Sequence, residues 1–327
     1  MRDNRTFKKI FELLIQPGKR LPSIYNWMMD EIWTEKNFSS NDVTHYFENG
    51  EKIITELEDI ALASADSLYD ELAAEAVQNE LFINTAFKNN VAFVIFDGMS
   101  LREVPLLKKL AASTGFSVLE SSYKFAALPS DTISFIEQRL IGKAIAPSQL
   151  ESRKELKAKS IKYYYYDTPI RHFEISASEN PLLLWSSFPD GTYSDFDARS
   201  SLHFETLVKQ FDVVWKNIIL SIPKNYKIII TSDHGYAYLG TGFDSKSDNV
   251  KSALNFLQQD RFRYYGDNEN PPDDLKLQLI KNKNLAMLRG KIKNRPKGHS
   301  SNKVFRHGGM SLMEMITPWL VIERAIN

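Results

Sequence analysis

A chain of 327 residues can bury enough apolar surface for one large α/β domain or two modest ones. Its 43% hydrophobic and 25% charged residues are those of an ordinary soluble globular protein. Lys and Arg balance Asp and Glu at 41 each, so global charge advertises neither nucleic acid nor membrane, and any polyanion site must come from local clustering. There is no cysteine, which excludes disulfides, thiolate metal ligation and cysteine nucleophiles and fits a reducing compartment.

In chain order, the opening MRDNRTFKKIFELLIQPGKR is charged and lacks the apolar stretch of a secretory signal. No run reaches the roughly eighteen apolar residues of a membrane span. A cytoplasmic protein without membrane contact is the expectation. Residues 1–90 hold no strand-like run; apolar residues recur at helical spacing with Asp and Glu on the other face. This predicts a helical N-terminal region that packs on the remainder of the chain and offers a docking surface for a protein partner. From Val91 the texture changes to short runs of β-branched and aromatic residues: VAFVIF (91–96), KYYYY (162–166), LLLWSSF (182–188), KIIIT (227–231) and PWLVIE (318–323). Apolar on both faces and separated by helix-length connections, they predict a central, mainly parallel sheet flanked by helices, an α/β domain over 91–327. Residues 241–303 are polar and irregular, with NENPPDD in their middle, and read as a long insertion or a small cap subdomain.

Open α/β sheets bind ligands beyond the carboxyl ends of their strands. Asp97 and Gly98 follow VAFVIF, Asp190 follows LLLWSSF and Pro189, and Ser232-Asp233-His234-Gly235 follows KIIIT. FRHGGMS, with His307, Gly308 and Gly309, precedes the final strand. Each alone has a bland reading: Asp-Gly as a turn, an Asp as a helix cap, His-Gly-Gly as a loop. Together on one rim they supply the oxygen and nitrogen donors that Zn²⁺ or Mn²⁺ takes. His45, His172 and His299 stand in polar surroundings and read as surface residues, while His203 stays open. In ALPSDTISFIEQRLIGK, a helix-like segment starts near Ser130, Asp131 and Thr132. Either one of these is only an N-cap, or the Thr132 hydroxyl is a nucleophile activated by a neighbouring metal.

Taken together these segments resemble the alkaline phosphatase superfamily and, within it, the PglZ-type domains. The shared order is a strand with Asp-Gly, Pro-Ser/Thr-x-Thr before Leu-x-Gly, a strand with Asp, Ser-Asp-His-Gly, and His-Gly-Gly before a last strand. The resemblance spans residues 91–327 and leaves 1–90 uncovered. It implies a central sheet between helices and two divalent metal ions, Zn or Mn, at the strand ends. Asp97, Thr132, Asp233 and His234 would hold the first, with Thr132 as nucleophile, and Asp190 and His307 would belong to the second. Family members often carry another histidine a few residues after the acid matched by Asp190. Here Ser194 takes that place and Asp195 follows. Asp195 would be a substitute ligand, favouring Mn²⁺ there, and His203 only if the chain turns back; with neither, the second metal is weak or absent.

The implied function is a metal-dependent phosphoesterase, a phosphodiesterase on nucleotide or oligonucleotide substrates rather than a small-molecule monoesterase, in phage defence or signalling. The alternative is a catalytically weakened binding or scaffold component of such a complex. Leu275 to Arg306 holds ten Lys or Arg and no acid. That run ends beside His307 and reads either as a phosphate-attracting flank of the metals or as a solvated loop. Arg261, Arg263 and Arg306 are further candidates for phosphate contacts.

Overall fold

In a computed structural model, the apolar runs after Val91 assemble into one six-stranded sheet. The structure describes residues 4–38, 42–64, 67–77, 80–193, 200–241, 247–269, 271, 275, 278–293 and 305–325, with the backbone alone at 4, 193, 200–203 and 241. Its strands are β1 (Val91–Phe96), β2 (Phe116–Phe125), β3 (Lys162–Tyr166), β4 (Leu182–Ser186), β5 (Lys227–Thr231), β6 (Ala237–Tyr238), β7 (Phe262–Tyr264), β8 (Leu279–Asn282), β9 (Leu285–Leu288), β10 (Phe305–Arg306) and β11 (Ile316–Arg324). The main sheet has the order β2-β11-β5-β1-β4-β3. β5, β1, β4 and β3 are parallel neighbours, and β11 runs antiparallel to both β5 and β2.

The sheet is mixed and mostly parallel because its central strands are covered on both faces, which continuous apolar runs require. The pleat divides β1 cleanly. Ala92, Val94 and Phe96 join one large apolar cluster, whereas Phe93 and Ile95 join a second with Phe135, Ile136, Leu140 and Trp185. The first cluster also takes Ile10, Leu14, Phe47, Ile54, Leu57 and Leu72 from the helices Asn4–Ile15, Val43–Ala63 and Leu68–Ala76. The N-terminal helical region thus packs directly on one face of the sheet. No helix among the described residues is long and apolar enough to cross a membrane.

β2, FSVLESSYKF, was not among the strands expected from sequence. It lies at the sheet edge, paired only with β11, and Val118 and Leu119 are exposed. An edge strand carries polar residues toward water and loses the apolar signature. The segment 241–303 also departs from the irregular reading. Its described part forms the helix Asp248–Phe256 and an antiparallel sheet in the order β7-β9-β8. Val250, Ala253, Leu257, Leu279, Ala286 and Leu288 give it an apolar cluster of its own. Few apolar residues suffice for so small a core, which is why its sequence reads as polar.

Candidate metal centre and active site

β5, β1 and β4 are adjacent, and each is followed at its carboxyl end by an aspartate: Asp233, Asp97 and Asp190. Neighbouring strands lie about 4.8 Å apart, so acids ending three of them are brought close by the sheet itself. Backbone contacts then orient them. The Asp190 N–H donates to the Asp97 carbonyl at 2.9 Å. The N–H groups of Gly98 and His234 donate to Asp233 Oδ1 at 3.0 and 2.9 Å, which turns Asp233 Oδ2 toward the cluster. There it accepts the Thr132 hydroxyl at 2.7 Å. Thr132 Oγ1 also lies 3.3 Å from Asp97 Oδ1 and 3.4 Å from His234 Nε2.

Both imidazoles are aimed by the chain. His234 Nδ1 faces the Gly235 carbonyl at 2.9 Å, and His307 Nδ1 faces the Ser130 carbonyl at 3.3 Å. A carbonyl only accepts, so Nδ1 is the donor in each ring and Nε2 is the nitrogen turned toward the acids. His234 Nε2 lies 3.6 Å from Asp97 Oδ1 and 3.5 Å from Asp233 Oδ2, and His307 Nε2 lies 3.7 Å from Asp190 Oδ1. The two rings stack with centroids 4.2 Å apart.

Two ligand groups result, Asp97/Asp233/His234 and Asp190/His234/His307, each with donor atoms within 4.8 Å of one another. Asp233 and His234 are buried, whereas the Asp190 and His307 side chains are 34% and 35% exposed, so the cluster opens to solvent on that side. Burial, then the charges of Asp233 and Asp190, push the Asp97 carboxyl well above the usual range. Burial disfavours a charged His234, but Asp233 and Asp190 outweigh it and raise that pKa. An Asp97 carboxyl pushed toward its protonated form by burial and crowding, beside two further carboxylates and two imidazoles, is a donor set that a divalent cation relieves. The residues present fit such an ion.

The structure brings together Asp97, Thr132, Asp233, His234, Asp190 and His307. Asp131 is the helix cap, accepting the Ser134 N–H at 2.9 Å, which leaves the Thr132 hydroxyl to the cluster. Ser130 Oγ accepts from Gly308 N–H at 3.0 Å and donates to the Gly309 carbonyl at 2.9 Å. Ser194, Asp195 and His299 lie outside the described residues, as does the side chain of His203; His45 and His172 are exposed.

Of the arginine expectations, that for Arg261 needs correction. Arg261 is fully buried and donates to Glu314 Oε1 and Oε2 at 2.7 and 2.6 Å, so it faces no substrate. Arg263 pairs with Glu269 at 2.7 Å and lies over the Phe256 ring. Burial lowers the pKa of Arg306, whose charge is felt by Asp260 and Arg261 of the insertion. Within the basic run, Lys291 is buried against Glu51 and Thr55, and Arg289 pairs with Asp70 at 3.3 Å, so both fasten N-terminal helices instead of attracting phosphate. Glu314 was missed. Its signal was present as the Ser311-x-x-Glu314 capping box, which the structure forms.

A groove of about 1090 Å³ opens at the other end of the sheet beside Val91 and Lys227 and contains none of the clustered acids or imidazoles. The chemistry, not the cavity, marks the candidate site. No protein-family model matches the chain, and no curated protein matches it. Among solved structures, it is similar to murine ectonucleotide pyrophosphatase/phosphodiesterase 5, an inactive variant in complex with AMP. The identity is 12% over 72% of this chain and 88% of that one, with a TM-score of 0.37.

Proposed function

We propose that this protein is a metal-dependent phosphoesterase of the alkaline phosphatase type, acting on phosphodiesters of nucleotide or oligonucleotide kind through Thr132. The observation that carries the reading is the Thr132 hydroxyl 2.7 Å from Asp233 Oδ2, inside a cluster of acids and imidazoles at the carboxyl rim of the sheet. Asp97, Asp233 and His234, with Thr132, would hold one ion. Asp190 and His307, with Asp195 as a third donor, would hold another, Zn²⁺ or Mn²⁺. Such ions supply charge stabilisation and lower the pKa of a bound hydroxyl or water.

Thr132 Oγ1 attacks phosphorus: the Oγ1–P bond forms as the P–O bond to the leaving alcohol breaks. Before attack, Asp233 Oδ2 holds the hydroxyl proton in line with the cluster. Water then cleaves the Oγ1–P ester, releasing the phosphomonoester and restoring the hydroxyl. The solvent-exposed Asp190 and His307 leave that side free for the ester to enter. The preference for nucleotide diesters, the PglZ-type assignment of 91–327 and a role in phage defence or signalling rest on the motif order, and a cytoplasmic setting rests on the cysteine-free composition. Residues 1–90 would dock a protein component of such a complex, where Phe7, Phe11 and Ile15 stand exposed at four-residue spacing on one helix.

The test is a titration of metal-stripped protein with Mn²⁺ and Zn²⁺, following bound metal and hydrolysis of bis-p-nitrophenyl phosphate and p-nitrophenyl phosphate together. Metal should elicit hydrolysis, faster on the diester. No hydrolysis of either ester at any metal concentration would overturn the enzyme and leave the scaffold role.

A further inference from the structure

The turn that carries His307 has two glycines after it, so its own sequence does little to aim an imidazole. Its shape is imposed by neighbours. Gly308 has φ of +102°, and a Cβ there would stand 2.6 Å from Phe262 Cδ1; a Cβ at Gly309 would stand 2.6 Å from Arg261 Nη2. Both walls are consecutive residues of the insertion, at the start of β7. The Arg261 guanidinium also donates to the carbonyls of Gly290 and Ile292, at 2.7 and 3.1 Å. Glu314, held by Arg261, accepts the N–H groups of Gly309 and Ser311 at 2.9 and 3.0 Å. Met310 N–H donates to the Leu288 carbonyl at 2.9 Å, at the end of β9. The backbone after His307 is thereby clamped to the insertion by a buried, doubly hydrogen-bonded ion pair.

We infer that Arg261 is a positioning residue for His307, acting through Glu314 and Gly309, so that the insertion sets the occupancy of the second metal position, to which Asp190 and His307 contribute. The inference rests on the metal-dependent reading proposed for this site. It gives the insertion a task other than contacting substrate. The physical reason is that a histidine ligand binds well only when its ring is already oriented. Partners that orient metal ligands typically change affinity by about 10–100-fold when removed.

The experiment titrates Mn²⁺ into metal-stripped, full-length protein by calorimetry, with thermal melts of each variant. His307→Gln identifies which binding event belongs to the second position. Arg261→Gln removes the clamp. Gly309→Ala displaces the guanidinium while keeping every charge, and decides the matter if Arg261→Gln does not fold. Arg261→Lys restores the charge without the two-pronged geometry. Wild type should show two events. Arg261→Gln and Gly309→Ala should weaken the event lost in His307→Gln by about 10–100-fold and leave the other unchanged, with Arg261→Lys falling between Arg261→Gln and wild type.

Two unaltered events in either folded variant, or both events weakened in step with a lower melting temperature, would overturn the positioning role. A single event indifferent to His307→Gln would overturn it while leaving the metal-dependent reading intact. Wild type that binds no metal overturns both.

Discussion

Thr132 and Asp233 are 101 residues apart in sequence and 2.7 Å apart in space. The proposed reaction is centred on that meeting. On the proposed mechanism, Thr132→Ala removes the attacking oxygen but leaves Asp97, Asp233 and His234 in place. Diester hydrolysis should fall by roughly three orders of magnitude or more, while bound metal is retained. The melting temperature should barely move, because Thr132 is only half-buried and substitutions of that kind usually stay within about 0.5 kcal/mol. Metal analysis and calorimetry alongside the assay check this. Native-rate hydrolysis by the variant would point to direct attack by water. The acids and imidazoles of this cluster were legible because they recur together on one rim of the sheet, where each alone would pass for a turn or a cap. Arg261 was misread for the converse reason: a guanidinium near a site looks the same in sequence whether it faces phosphate or a buried carboxylate.

The helix Val43–Ala63 was legible from its spacing, but its acids were expected on the solvent side, and two of them are fully buried. Glu51 lies between Arg102 and Lys291, whose charges outweigh burial and hold its carboxyl below the usual range. Glu58 accepts the Leu312 N–H at 2.7 Å, and burial pushes its pKa from 4.5 up to about 8. Its folded pKa exceeds that of the unfolded chain, so folding takes up a proton across that window. Stability from this group is then full below the unfolded value and is lost as pH rises toward the folded one, at up to about 1.4 kcal/mol per unit. Glu58→Gln keeps an acceptor for Leu312 and abolishes the titration. The variant should melt at or above wild type, by a margin that widens between about pH 5 and pH 8. Thermal melts across that range check it, and a margin constant with pH would show that Glu58 does not titrate there.

At the scale of the whole molecule, the cluster couples metal, protons and stability. Burial, Asp233 and Asp190 make Asp97 retain a proton in the metal-free protein, and a divalent ion must displace it. Mn²⁺ should therefore bind more tightly and stabilise more as pH rises, with a gain of about 2.7 kcal/mol at a hundred times the Kd. Melting temperatures with and without Mn²⁺ at acidic and neutral pH measure it; a gain that shrinks with rising pH would contradict the proton competition.

By itself the sequence determined that β1, β4 and β5 are covered on both faces and that acids and an imidazole stand at their carboxyl ends. Parallel central strands must be apolar throughout, so a charge at their ends stands out. Only the tertiary structure decided that β2 borders the sheet, that the insertion has a core, and that Glu51, Lys291 and Arg261 are buried. Those outcomes depend on partners far away in the chain: Glu51 meets Arg102 across 51 residues and Lys291 across 240, and Arg261 meets Glu314 across 53. A charge declares its sign in the sequence, but whether it meets water, substrate or a buried counter-charge is set by the chain folded around it.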